Sequence, residues 1–129
     1  MILTMRTDKP ESEIGLFDGP QQITYEKWEA HRQLAETIHA KIRTLLADQG
    51  KELKDLTGIV IYRGPGSFTG LRIGMSVGNA LAYSLDIPIA AADGEGWQAH
   101  GIASVQKHPS RVPVTPEYGL APNITKPRK

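Results

Sequence analysis

The sequence predicts an α/β domain built on a mixed sheet with flanking helices. Three observations predict it. Short apolar stretches with two-residue alternation occupy the first 26 residues. The apolar spacing then changes to that of a helix. A β-branched run, Gly58-Ile59-Val60-Ile61-Tyr62, follows, and a glycine-rich turn separates it from a second helical stretch.

Ile2 to Met5 reads as the first strand. Glu13 to Asp18 reads as the second, with Ile14 and Leu16 alternating with Gly15 and Phe17. Lys9-Pro10-Glu11 breaks the chain between them, and Asp18-Gly19-Pro20 supplies hairpin-turn chemistry before a third strand at Gln22 to Glu26. Leu34, Ile38, Ile42, Leu45 and Leu46, with Ala35 beside them, predict a helix from Glu29 to Asp48, and Gly50 suits its end. A second helix runs from Thr69 to Leu85. Pro88 follows it, and Ile87 to Ala92 is a short strand. Gly94, Gly96 and Gly101 interrupt any helix between Glu95 and Val105. Residues 1–106 form one domain. Residues 107–129 form a basic tail with prolines at 109, 113, 116, 122 and 127, which predicts extended or disordered chain.

Composition narrows the function classes. Hydrophobic residues make up 40% and charged residues 22%, which fits a soluble globular protein. There is no cysteine, so neither a disulfide nor a thiolate metal site is available. No apolar run reaches the ~18 residues of a membrane helix, and the start lacks a signal-peptide layout. A cytoplasmic location without membrane contact is the expectation. Net charge is +1, of which the tail holds +4 (Lys107, Arg111, Lys126, Arg128 and Lys129 against Glu117) and the remaining residues −3. The body is not a nucleic-acid surface by charge. The tail is either a solvated terminus or a contact for RNA phosphates.

The glycine loop Arg63-Gly64-Pro65-Gly66-Ser67-Phe68-Thr69 is the feature nearest to chemistry. Glycines around a proline make a tight turn through which backbone approaches a ligand or neighbour closely. Ser67 or Thr69 can cap the following helix, and the N–H groups there can hold an anion. The spacing departs from known phosphate loops. Neither Gly64 nor Gly66 is followed at the required distance by Gly-Lys-Ser/Thr, and Gly64, Gly66 and Gly70 leave three residues in the second gap of G-x-G-x-x-G. Pro65 and Thr69 stand where a serine nucleophile elbow needs glycine. A structural turn is the reading favoured by spacing. Along the second helix Gly70, Gly74, Gly78 and Ala82 recur every four residues. Each interior glycine costs a helix up to about 1 kcal/mol relative to alanine. The stripe serves either close packing inside the protein or a groove for a partner helix.

The strings RGPGSFTGLRIG and GNALAYSLDIPI resemble the TsaB (YeaZ) family. The similarity is clearest from Trp28 to Pro88, and Ile2-Leu3-Thr4-Met5-Arg6-Thr7 resembles the family's first strand. The catalytic paralogue TsaD shares the loop, but the Ser-Phe-Thr-Gly-Leu-Arg portion favours TsaB. The resemblance implies a ribonuclease-H-like lobe of the actin-type ATPase (ASKHA) fold over residues 1–106, with the usual C-terminal lobe missing or reduced to the tail. It implies a non-catalytic scaffold subunit for the complex that forms threonylcarbamoyladenosine beside the tRNA anticodon.

The implied partner is a TsaD-like catalytic subunit that carries the ATP and metal, so this chain alone binds no cofactor. A TsaE-like ATPase and, through the complex, tRNA are further implied partners, and a homodimer is expected when the chain is alone. Carried over by position, the partner interface includes His31, Arg32, Leu34, Ala35, Ile38 and Ile42 on the first helix. On the second it includes Gly70, Arg72, Gly74, Ser76, Gly78 and Ala82. The glycine loop shapes the second helix and borders the shared site, with Arg63 and Arg72 in reach of phosphate or a partner carboxylate.

The resemblance implies no catalytic and no metal residue in this chain. Actin-like ATPases carry an acidic residue where this sequence has Arg6, and a guanidinium cannot ligate a cation. Asp8 lies two residues on, roughly 7 Å along a strand. The paralogue's His-x-x-x-His metal pair falls on Gly94 and Gln98. His100 and His108 stand alone, and His31 and His39 are about 12 Å apart along a helix, too far for one metal. Two alternatives stay open: a nucleotide-binding protein in its own right, and an RNA-binding adaptor acting through the basic tail.

Overall fold

Strand β1 (Ile2–Arg6) lies at the centre of a five-stranded sheet of order β3-β2-β1-β4-β5. The structure is a computed structural model that describes residues 1–30 and 33–115. Strand β2 (Glu11–Asp18) pairs antiparallel with β1 and with β3 (Gln21–Glu29), whereas β4 (Gly58–Tyr62) and β5 (Ile89–Ala92) extend the sheet in parallel from β1. Helices supply the crossovers that parallel neighbours require. Helix α1 (Leu34–Ala47) joins β3 to β4, and α2 (Phe68–Leu85) joins β4 to β5.

Two-residue alternation sorts the core into two layers. Leu3 and Met5 of β1, with Ile14, Leu16, Ile59 and Ile61, pack beneath α1 and α2. Ile2, Phe17, Val60 and Tyr62 face the other way and are covered by α3 (Trp97–Lys107), which contributes Trp97, Ile102 and Val105.

Four features differ from the sequence reading. The second hairpin is longer than predicted, because Glu11 and Ser12 pair with Glu29 and Trp28. That pairing holds 27–29 extended, so α1 begins at Leu34 and not at Glu29. Helix α3 exists despite its glycines. Gly94 has φ +80° in the preceding turn, Gly96 is the N-cap, and a methyl at Gly101 would collide with Val60, so the glycine lets the helix approach β4. The described part of the tail is docked. Ile89 N–H donates to the Ser110 carbonyl (2.9 Å), Arg111 pairs with Asp86 (2.9 Å), and the Asn79 carboxamide bonds both the N–H and the C=O of Val114. The rest of the predicted Pro-rich tail, 116–129, lies outside the described residues. Among the described residues no helix is long and apolar enough to cross a membrane.

Candidate functional site

The glycine loop is fastened to the end of β1. Ser67 N–H donates to the Asp8 carbonyl (3.0 Å), and a side chain at Gly66 would collide with Asp8. Gly64 has φ +111°, the left-handed region open to glycine, and the Gly64–Pro65 peptide is cis. Ser67 takes the N-cap position of α2, but its hydroxyl makes no capping bond. Thr69 sits exposed in the first turn. Arg63 is held at the neighbouring strand end: its N–H donates to the Ala92 carbonyl (2.8 Å), and its guanidinium pairs with Asp93 (2.9 Å).

At the end of β1, Arg6 forms a two-pronged ion pair with Asp8: Nε donates to Oδ1 at 2.8 Å and a terminal nitrogen to Oδ2 at 3.2 Å. The guanidinium also lies 3.9 Å over the Tyr62 ring, which meets Trp97 edge-on. Burial by itself lowers the Arg6 pKa, yet hydrogen bonding and charge from Asp8, with Tyr62 and Glu13, raise it above its ordinary value. Arg6 is therefore a fixed cation, and it takes up both oxygens of the carboxylate nearest to it. These residues do not fit a catalytic metal. Gln98, which aligns with the second histidine of the paralogue's metal pair, donates to the Tyr25 hydroxyl (3.0 Å), which in turn donates to Glu13 (2.6 Å). Lys9 completes this chain at Glu13. Desolvation, then the Glu13 hydrogen bond and charge, push the Tyr25 hydroxyl well above the usual tyrosine pKa. Gln98 is thus a structural tie between α3 and the hairpin.

Helix α2 answers the question left open by its glycines. A methyl at Gly70 would meet the Thr7 carbonyl oxygen, one at Gly74 the Thr7 hydroxyl, and one at Gly78 the Ile61 side chain. Ala82 is buried beside them. The stripe faces the sheet. Leu34, Ile38 and Ile42 are likewise core residues under α1. Seven of the residues predicted for a partner interface (Leu34, Ile38, Ile42, Gly70, Gly74, Gly78 and Ala82) therefore point inward, because small size and apolar character here serve internal packing.

Ala35, Arg72 and Ser76 are exposed and line a groove of about 410 Å³ between α1 and α2. His31 and Arg32 lie outside the described residues. The groove adds His39, Ile73 and Val77, which sequence reasoning missed. Their signal was present: Thr69, Ile73, Ser76, Val77 and Ala80 recur at three- and four-residue offsets on a face that flanks the glycine stripe. A second hollow, of about 480 Å³, shares Thr69 and Ile73 and reaches Thr7, Lys9 and Ser12 where β1 passes into β2.

The tRNA N6-adenosine threonylcarbamoyltransferase (TsaD) family model matches residues 27–114. The tRNA threonylcarbamoyladenosine biosynthesis protein TsaB of Bacillus subtilis is 42% identical over 71 residues, 55% of this chain and 29% of that protein. The tRNA N6-adenosine threonylcarbamoyltransferase of Syntrophus aciditrophicus is 42% identical over 60 residues, 46% of this chain and 18% of that protein. The solved structure of YeaZ from Pseudomonas aeruginosa superposes with a TM-score of 0.66 at 28% identity, over 71% of this chain and 43% of that one. The chain thus spans less than half the length of each of these relatives. Its sheet order and helix placement are those of the actin-like (ASKHA) fold. The chain belongs to the TsaD family, and within it to the TsaB/YeaZ group.

Proposed function

We propose that this chain is the non-catalytic, TsaB-type subunit of the assembly that forms N6-threonylcarbamoyladenosine in tRNA, and that it binds a TsaD-like catalytic subunit across the α1/α2 groove. The observation that carries this reading is the outer face of the helix pair. Ile73 and Val77 are only partly buried there, flanked by the small Ala35 and Ser76 and the charged Arg72. Small and apolar groups ringed by polar ones suit the core of a protein interface. A partner with the same lobe offers a matching helix pair, which favours a two-fold-like arrangement. The Arg6–Asp8 pair supports the non-catalytic part: a cation stands where catalytic relatives need a carboxylate. On this reading ATP, metal and tRNA are handled by the partner, and a TsaE-like ATPase joins the completed assembly.

Co-expression with the TsaD-like protein of the same genome, with mass measured by light scattering, tests the proposal. A one-to-one complex is expected. Ile73→Arg should keep the fold, because it places charge at a surface groove, and should weaken the complex by about 100-fold. A folded chain that forms no complex at concentrations on the order of 50 μM would overturn the reading.

A further inference from the structure

The hollow where β1 passes into β2 holds a polar group that the fold leaves unused. Ser12 lines it at 1% exposure, and among the described residues its hydroxyl has no hydrogen-bond partner. Burying a hydroxyl without a partner is unfavourable, so the group calls for one that the chain itself does not supply. The Thr7 hydroxyl, in the same wall, is already committed to the Gly70 carbonyl (2.8 Å). The first turn of α2 borders the hollow through Ser67, Thr69 and Gly70. The first bond inside the helix runs from the Leu71 N–H to the Ser67 carbonyl (2.9 Å), so the N–H groups of residues 68–70 precede it. The Ser67 hydroxyl gives them no capping bond. Eighteen helical residues stand behind them, and the aligned peptide dipoles place partial positive charge at this end. The turn is fixed against β1 by the Ser67 N–H on the Asp8 carbonyl (3.0 Å) and by the close approach of Gly70 to the Thr7 carbonyl. Lys9 adds an ammonium group. It is half-exposed, and its contact with Glu13, at 3.5 Å, is long. Pro10, Leu34 and Ile73 make the remaining wall apolar.

We infer that this hollow is a binding site for a phosphate group, free or carried by a small monoester. Its oxygens accept from the N–H groups at the start of α2 and from the Ser12 hydroxyl, and Lys9 offsets its charge. Donors from β2 and from α2 converge on the hollow from two sides, which suits a tetrahedral oxyanion. The apolar wall suits the body of a monoester. The site lies on the α1/α2 side of the sheet. Leu3 and Met5 pack there, and Thr7 follows them in alternation. Arg6 and Gln98, which stand where catalytic relatives carry metal-binding side chains, belong to the other side: Arg6 lies over Tyr62, in the layer covered by α3, and Gln98 is on α3 itself. The inference does not depend on the docking of a partner.

Titration of the isotope-labelled full chain with sodium phosphate, followed by amide NMR against sodium chloride at matched ionic strength, tests this. The Thr69 and Gly70 amide signals should move saturably with phosphate, at half-saturation on the order of 1 mM, and not with chloride. Ser12→Ala removes a hydroxyl that has no partner, so the unliganded chain should lose no stability in urea, yet its phosphate affinity should fall about 10-fold. A merely structural Ser12 would move the stability and leave the affinity alone. Ser67→Asp brings a capping carboxylate, which should stabilise the unliganded chain and abolish phosphate binding, because negative charge then occupies the same N–H groups. Phenyl phosphate distinguishes the source. Binding about 10-fold tighter than that of inorganic phosphate assigns a monoester lying on the apolar wall, and equal affinity assigns free phosphate. The site is overturned if no saturable shift occurs up to about 50 mM phosphate, or if Ser12→Ala and Ser67→Asp leave the titration unchanged.

Discussion

Thr7 is gripped twice by α2. Its hydroxyl donates to the Gly70 carbonyl at 2.8 Å, and its side chain fills the space a methyl at Gly74 would need. Helix propensity alone makes Gly74→Ala favourable by about 1 kcal/mol, but overpacking against Thr7 outweighs that gain. Gly74→Ala is expected to lower stability by about 1–3 kcal/mol net, measured by urea denaturation. Gly74→Leu and Gly78→Leu should fail to fold, so loss of partner binding in them would carry no information about the interface. Tyr25 gives a pH signature. Its hydroxyl pKa is raised above that of the unfolded chain, near 10, so the folded state holds the proton more tightly. The resulting stability is fully present below the unfolded pKa and drains away as pH rises through the folded one. Stability measured from about pH 9 to 11 should fall less steeply in Tyr25→Phe than in wild type.

Among the elements, the strands and α2 were legible because each writes its own period. Ile14 and Leu16 alternate, and Gly58 to Tyr62 is β-branched and buried. The start of α1 was not legible. Trp28 and Glu29 are kept in β3 by pairing with Ser12 and Glu11, which are distant in sequence, so a local pattern cannot show where the strand stops. Helix α3 was missed for a related reason. A glycine that costs an isolated helix stability lets this one sit against Val60, and that benefit belongs to tertiary packing. Gly101→Ala should therefore destabilise the protein by about 1–3 kcal/mol. Val60→Ala, itself destabilising, should recover part of the loss in the double variant. Additive effects in that cycle would refute the proposed contact.

For the molecule as a whole, the residues that the sequence reading grouped as one surface divide between the two sides of the helix pair. Ala35, Arg72 and Ser76 lie on the open groove, whereas the glycines and Leu34, Ile38 and Ile42 hold the layer together from within. Small residues announce close approach but not which neighbour approaches, and only the sheet beneath α2 decides that. The same open face predicts the behaviour of the chain alone. Without a partner it should associate reversibly with itself across a concentration series in sedimentation velocity, and Ile73→Arg should return it to monomer. The thinness of the α2–sheet contact has a mechanical consequence. Interlocked long side chains absorb displacement by shifting rotamers, but at Gly70 the helix backbone bears on the Thr7 carbonyl and at Gly74 only on the short Thr7 side chain. A displacement of α2 therefore bears directly on the β1 terminus and on the turn that Asp8 anchors. Whatever grips the helix from outside is thus coupled by close contact to the end of the central strand.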